Sequence, residues 1–219
     1  MGRVQEWRPE NAWKIGVGPG KPRPGSGPHP PPRLGRDEAD ARARLEQLSL
    51  SGNPISSIAP LPDGSSITHL WLDGTSVADL SAVASLAGLQ RLTLDGSPAS
   101  SLEPLRNLSN LEFLSARETP ISDIGPLEGI ASLRQLYLGD SPIEGFEPLE
   151  SLDDLEGLGL EGTGFQALDL LAGLSSLRFL FLDRNGISSL EELASLDSLE
   201  SLGLSSNSIT DVGPLSGLE

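Results

Sequence analysis

From Leu45 to Glu219 the apolar and polar positions repeat with a period of 22 residues. Each copy reads Leu-x-x-Leu-x-Leu, then a short polar turn, then Ile-x-x-Leu-x-Pro-Leu-x-x-Leu. The copies begin at Leu45, Ile67, Leu89, Leu111, Leu133, Leu155, Leu177 and Leu199, and no insertion or deletion breaks the register. The third copy shows the unit well: Leu89, Leu92 and Leu94, a turn at Asp95-Gly96-Ser97-Pro98, then Leu102, Pro104, Leu105 and Leu108. Leu92-x-Leu94 alternates with period two, which predicts a short strand with one face buried. Proline cannot donate to a sheet ladder, so Pro98 and Pro104 belong outside the strand. Pro104 recurs as Pro60, Pro126, Pro148 and Pro214. It closes off regular helix on the return segment, which is expected to be a 3₁₀ turn or extended chain.

A strict period of this length is the mark of a solenoid, in which each unit packs only against its neighbours. Stacked copies form a parallel sheet, one strand per repeat, with strands about 4.8 Å apart. The bulkier return segments splay further apart, so the stack curves with the sheet on its concave side. A sign alternation supports the register. The residue after each first leucine runs Glu112, Arg134, Glu156, Arg178, Glu200. Stacking sets these opposite charges side by side, worth about 0.2–1 kcal/mol per pair.

These residues resemble the leucine-rich repeat in its short, 22-residue, internalin-like class. The resemblance covers about four fifths of the chain. It implies an α/β solenoid: a leucine-rich repeat horseshoe with a parallel concave β-sheet and short 3₁₀ or extended convex segments. It also implies protein binding rather than chemistry. The place that opens each turn is usually Asn in that family, whose side chain bonds backbone groups of the turn. Here it is Asn53, Thr75, Ser97, Thr119, Ser141, Thr163, Asn185 and Asn207. Thr and Ser make similar but weaker local bonds, so looser turns are expected mid-stack. Turns such as Gly74-Thr75-Ser76-Val77 are similar to those of bacterial multidomain proteins, which fits a sensor or adaptor domain.

Charge is unevenly placed. Residues 1–44 carry a net charge of +4 and the repeats −20, together −16. The repeats hold six Arg and no Lys. A body this acidic repels phosphate backbones, which argues against a nucleic acid ligand. The acids keep a leucine-rich surface soluble, and they also favour a basic partner. There is no Cys, so disulfides and cysteine-based metal sites are excluded. No stretch approaches the roughly 18 apolar residues of a membrane span. No apolar run follows Met1, so neither a secretory signal nor a membrane partner is expected, and a cytoplasmic location is. Glu6 stands where a myristoylation motif needs Ser or Thr. The sequon at Asn107-Leu108-Ser109 adds little.

The first 36 residues read as a Pro- and Gly-rich, flexible segment. Pro28-His29-Pro30-Pro31-Pro32-Arg33 is expected to be polyproline II. Trp7 and Trp13 precede it as a remnant of an upstream domain or as a hook on the solenoid. Asp37 to Arg44 is expected to be a short cap helix over the first repeat, since terminal repeats need a polar cap. At the other end Leu218-Glu219 closes the eighth repeat without a capping segment, so a longer natural chain is expected.

Catalysis finds no footing. His69 has neither a Cys nor a second repeat His to work with, and the Ser residues lack a base at triad geometry. Gly16-Val17-Gly18-Pro19-Gly20-Lys21 falls one residue short of a phosphate loop, and Pro22 replaces its Ser or Thr. No cofactor is expected. Asp73 and Asp95 sit on adjacent strands as a carboxylate pair or Ca²⁺ site, or as a solvated rim partly balanced by Arg117.

The strand face carries more. Two outward residues flank the second leucine of each copy. Of nine aromatic residues in the chain, five fall in these places: Trp71, Phe113, Tyr137, Phe179 and Phe181. The buried leucine positions are expected to hold none. Part of this is strand propensity, but aromatics and Arg are also the usual interface anchors. The candidate partner-binding residues are therefore Trp71, Arg91, Phe113, Tyr137, Gly157, Gly159, Phe179, Phe181 and Arg184. Gly157 and Gly159 break the row in the sixth repeat. They set Tyr137 and Phe181 two strand spacings apart, near 10 Å. Either a partner side chain enters that slot, with Asp183 and Arg184 on its rim, or the two rings lean in and fill it. The alternative function is a structural spacer whose Pro-rich N-terminal segment does the recognising.

Overall fold

The structure is a computed structural model that describes residues 45–59, 61 and 65–218. The Pro- and Gly-rich segment, the short cap helix, Trp7 and Trp13 lie outside the described residues.

Eight three-residue strands form one open sheet in sequence order: β1 Gln47–Ser49, β2 His69–Trp71, β3 Arg91–Thr93, β4 Phe113–Ser115, β5 Gln135–Tyr137, β6 Gly157–Gly159, β7 Phe179–Phe181 and β8 Ser201–Gly203. Every pairing is parallel and joins equivalent positions, such as Leu92↔Leu114. The middle residue of each strand points into the core: Leu70, Leu92, Leu114, Leu136, Leu158 and Leu180 are fully buried. Each such burial contributes about 1.5–3 kcal/mol.

The return segments are 3₁₀ turns, at Ser81–Ser85, Glu103–Leu105, Gly125–Leu127, Glu147–Ser151, Leu168–Leu171, Glu191–Ser195 and Gly213–Gly217. Pro104, Pro126, Pro148 and Pro214 each stand in the first two positions of such a turn. There a missing N–H costs nothing. No helix among the described residues is long and apolar enough to cross a membrane.

The core corrects one expectation. Phe146 and Phe165 take aliphatic places of the repeat and meet edge to face at 4.8 Å. Phe165 is fully buried, and Phe146 packs against the core. Aromatic residues are therefore not confined to the strand face; two large rings fill the convex side of the fifth and sixth repeats together.

The turn-opening residues divide by chemistry. Thr75, Thr119 and Thr163 each donate one short bond to the carbonyl three residues back. Asn185 and Asn207 instead bridge repeats. Asn185 Oδ1 accepts the Gly164 and Phe165 N–H groups at 2.8 and 3.1 Å, and its Nδ2 donates to the Leu160 carbonyl at 2.8 Å. Asn207 Oδ1 likewise accepts the Asn185 and Ile187 N–H groups. Ser141 bridges in the same way with a single hydroxyl, which accepts the Thr119 N–H at 3.2 Å and donates to the Ala116 carbonyl at 3.0 Å; the amides reach one group more. The alternating charges also meet: Arg134 reaches Glu156 at 3.0 Å and Arg178 reaches Glu200 at 2.6 Å. Both pairs are exposed, which limits each to about 1 kcal/mol.

Candidate functional site

The first and third residues of every strand point away from the core. Three of them build a continuous stack with one turn residue. The Arg91 guanidinium lies 4.0 Å above the centre of the Phe113 ring. Phe113 faces Tyr137 at 5.6 Å, tilted by 49°. Arg117 closes the far end, 4.8 Å from the Tyr137 centroid. Covered on both sides, Phe113 is only 8% exposed. Further along, Arg178 stands 5.3 Å from the Phe179 centroid, and Phe179 and Phe181 are both half-buried. On β2, His69 and Trp71 approach to 5.7 Å. Burial is the main cause that lowers the pKa of His69, with the neighbouring Arg91 charge second.

The sixth repeat departs from the open slot. Gly157 and Gly159 are buried. A Cβ on Gly157 would stand 3.0 Å from Tyr137 Oη, and one on Gly159 only 2.7 Å from Tyr137 Cδ1. The Tyr137 ring thus fills the gap by itself. Phe181 turns the other way, so that a Cβ on Gly203 of β8 would meet its Cδ1 at 3.1 Å. Two rings do not wall a vacant cleft; one ring leans over the glycines. Burial raises the Tyr137 pKa.

Arg184 does not rim a slot either. It donates from Nη2 to both carboxylate oxygens of Asp140, at 2.6 and 2.7 Å, reaching across the whole intervening repeat. Gly162 lies beneath, where a side chain would collide with Asp140. Asp183 accepts the Ser205 N–H at 2.6 Å. Arg184, Asp140 and Asp183 instead line a polar basin of about 340 Å³ at the turn edge, with Arg117, Glu118, Glu161 and Ser206.

Position eight of each repeat has a left-handed backbone. Gly52, Gly74, Gly96 and Gly162 supply it at φ 60–72°. Glu118, Asp140, Arg184 and Ser206 adopt the same conformation with side chains, at φ 53–61°. All four border the basin.

Asp73 and Asp95 have structural work. Asp73 accepts the Thr93 hydroxyl at 2.7 Å and the Asp95 N–H at 3.0 Å. Asp95 accepts the Ser115 hydroxyl at 2.7 Å and the Arg117 N–H at 2.9 Å. Each carboxylate therefore caps the edge of the next strand. Burial pushes the Asp95 pKa up despite those bonds. No group of three or more metal-ligating side chains occurs among the described residues.

Sequence reasoning set Arg117 beside Asp73 and Asp95 and missed its pairing with Glu161. Arg117 reaches Glu161 at 3.4 Å across two strands, with Gly139 and Gly159 against the Glu161 carboxylate. A usable signal existed: Arg117-Gly139-Glu161 and Asp140-Gly162-Arg184 are both columns of charge, glycine and opposite charge in successive repeats.

A family model described as Leucine Rich Repeat matches residues 44–64. No curated protein matches the chain significantly. Among solved structures, an internalin (inlF) of Listeria monocytogenes strain 4b F2365 is 27% identical with a TM-score of 0.69, over 79% of this chain and 58% of its own. Internalin C2 (inlC2) of the same strain is 30% identical with a TM-score of 0.58, over 80% of this chain and 68% of its own. TLR13, solved in complex with ssRNA13, is 26% identical with a TM-score of 0.59, over 70% of this chain and 24% of its own. The chain thus spans less than two thirds of the first of these relatives.

Proposed function

As the chain belongs to the internalin-like leucine-rich repeat proteins, we propose that it is a protein-interaction module that holds a partner protein against the outward face of its sheet. The observation that carries this reading is the aromatic row with its own arginine supports. Trp71, Phe113, Tyr137, Phe179 and Phe181 all stand on that face, and Arg91, Arg117 and Arg178 lie against three of them. Rings fixed by neighbours lose little freedom on binding, the property of an interface anchor. Tyr137, rather than an empty slot, forms the central surface of the sixth repeat.

Size supports the same face. Eight strands span about 34 Å and each displays three residues, roughly 10 Å of length, of order 350 Å². A standard interface covers about 800 Å² per partner. The sheet supplies a little under half of that figure, and the turn edge extends it. The repeats carry a net charge of −20, which favours a partner with basic character and disfavours phosphate backbones. In this respect the chain is read differently from TLR13, whose ligand in the solved complex is RNA.

Photo-cross-linking of the full chain tests the reading. A cross-linker placed at Phe179 or Ser201 on the sheet is expected to trap a partner in the producing cell. One placed at Glu128 or Glu150 on the convex side is not. Trapping from the convex side alone, or from Pro31 alone, overturns the assignment.

A further inference from the structure

Six arginines stand in the repeats. Five of them have a carboxylate within 4.0 Å: Arg106, Arg117, Arg134, Arg178 and Arg184. Arg91 has none among the described residues, and its guanidinium makes no hydrogen bond to them. Its Cζ lies over the Phe113 ring, 4.0 Å from the centroid, and Arg91 stands between His69 and Phe113 in one row of the sheet. In so acidic a body, an arginine on the third of eight strands with no ion pair among the described residues calls for a cause. A guanidinium placed over a ring without hydrogen bonds keeps its N–H groups available, and these take a carboxylate in bidentate fashion. Phe113 is itself held by Tyr137 behind it. The fork is therefore fixed before any partner arrives.

We propose that Arg91 is the seat for a carboxylate of the partner, supplied by an Asp or Glu side chain or a chain terminus, beside an apolar group that covers Phe113. The proposal rests on the sheet-face reading above and names what that face selects. Glu112 acts on Arg91 only from beyond ion-pair distance, while burial acts against its charge. A partner carboxylate offsets that burial. The net charge of the repeats further requires that this carboxylate belong to an otherwise neutral or basic segment.

The test is a random peptide display library panned on the full chain. Enriched peptides are expected to share one Asp or Glu next to an apolar residue. Changing that acid to its amide, or Arg91→Gln in the protein, is expected to weaken binding about tenfold or more. Arg91→Gln still covers Phe113, and an unchanged melting temperature shows that the fold survives. Arg91→Glu is expected to lose these peptides and to recover binding when the peptide acid becomes Lys. Peptides synthesised with an amidated C-terminus separate a side-chain carboxylate from a terminal one. Peptides that need Phe179 and Phe181 but ignore Arg91→Gln overturn this inference and leave the sheet-face reading intact. A library that yields no peptide dependent on either overturns both.

Discussion

The ring of Tyr137 occupies the space that a side chain on Gly159 would need: a Cβ there would stand 2.7 Å from Tyr137 Cδ1. The other close atoms are Glu161 Oε2 at 2.9 Å and Arg117 Nη2 at 3.3 Å, all ends of side chains rather than backbone. Gly159→Ala is therefore expected to fold, with Tyr137 turned out, at a cost of about 1–3 kcal/mol. In a Tyr137→Ala background that cost falls, giving a coupling of about 0.5–3 kcal/mol in urea unfolding. Equal costs in both backgrounds contradict the contact.

Glu118 adopts φ 53° and makes no ion pair among the described residues. Its equivalents Gly96 and Gly162 hold the same conformation without strain. Glu118→Gly is expected to stabilise the protein by about 1 kcal/mol. Calorimetry reads this as a rise of about 2–4 °C in Tm.

Two turn-opening residues of equal burial differ in worth. Asn185 satisfies two N–H groups and one carbonyl of the repeat before it. Each group left unpaired costs about 1–3 kcal/mol, so Asn185→Ala is expected to cost about 2–4 kcal/mol. The Ser97 hydroxyl is buried without a partner. Ser97→Ala is expected to change stability by less than about 0.5 kcal/mol. Chemical denaturation of both variants measures the contrast.

Asp95 links stability to pH. Its folded pKa lies above the ordinary value of 3.8 because burial disfavours the charge. Between 3.8 and the folded value the native state binds more protons than the unfolded one. Stability from this group therefore increases as pH falls through that window, and its penalty is complete above it. Asp95→Asn keeps an acceptor for Ser115 and Arg117 and removes the penalty. The variant is expected to exceed the parent in stability at pH 7, with the gap narrowing towards pH 4. A gap that widens on acidification contradicts the burial effect.

The repeat register, the strand positions and the 3₁₀ returns were legible because leucine spacing and proline placement act locally. Stacking of equivalent residues then follows from the constant period. Contacts that skip a repeat were harder to see. Arg184 reaches Asp140, and Arg117 reaches Glu161, only because Gly162, Gly139 and Gly159 leave room between them. A reading that pairs nearest neighbours treats those glycines as gaps. Tyr137 shows the same effect, since a long side chain beside a missing one leans over it. Phe146 and Phe165 escaped notice for a different reason. Each replaces an aliphatic residue at a position that stays buried, and only their mutual 4.8 Å packing shows that the exchange is joint.

The central claim is that the sheet face, not the convex side, carries binding. The most direct measurement is the affinity of the cross-linked partner for Phe179→Ala and Phe181→Ala against Glu128→Ala and Glu150→Ala. The account predicts a loss of tenfold or more for the phenylalanines, as for anchors worth about 2 kcal/mol, and less than about twofold for the glutamates. The reverse order, or equal losses on both sides, would contradict it.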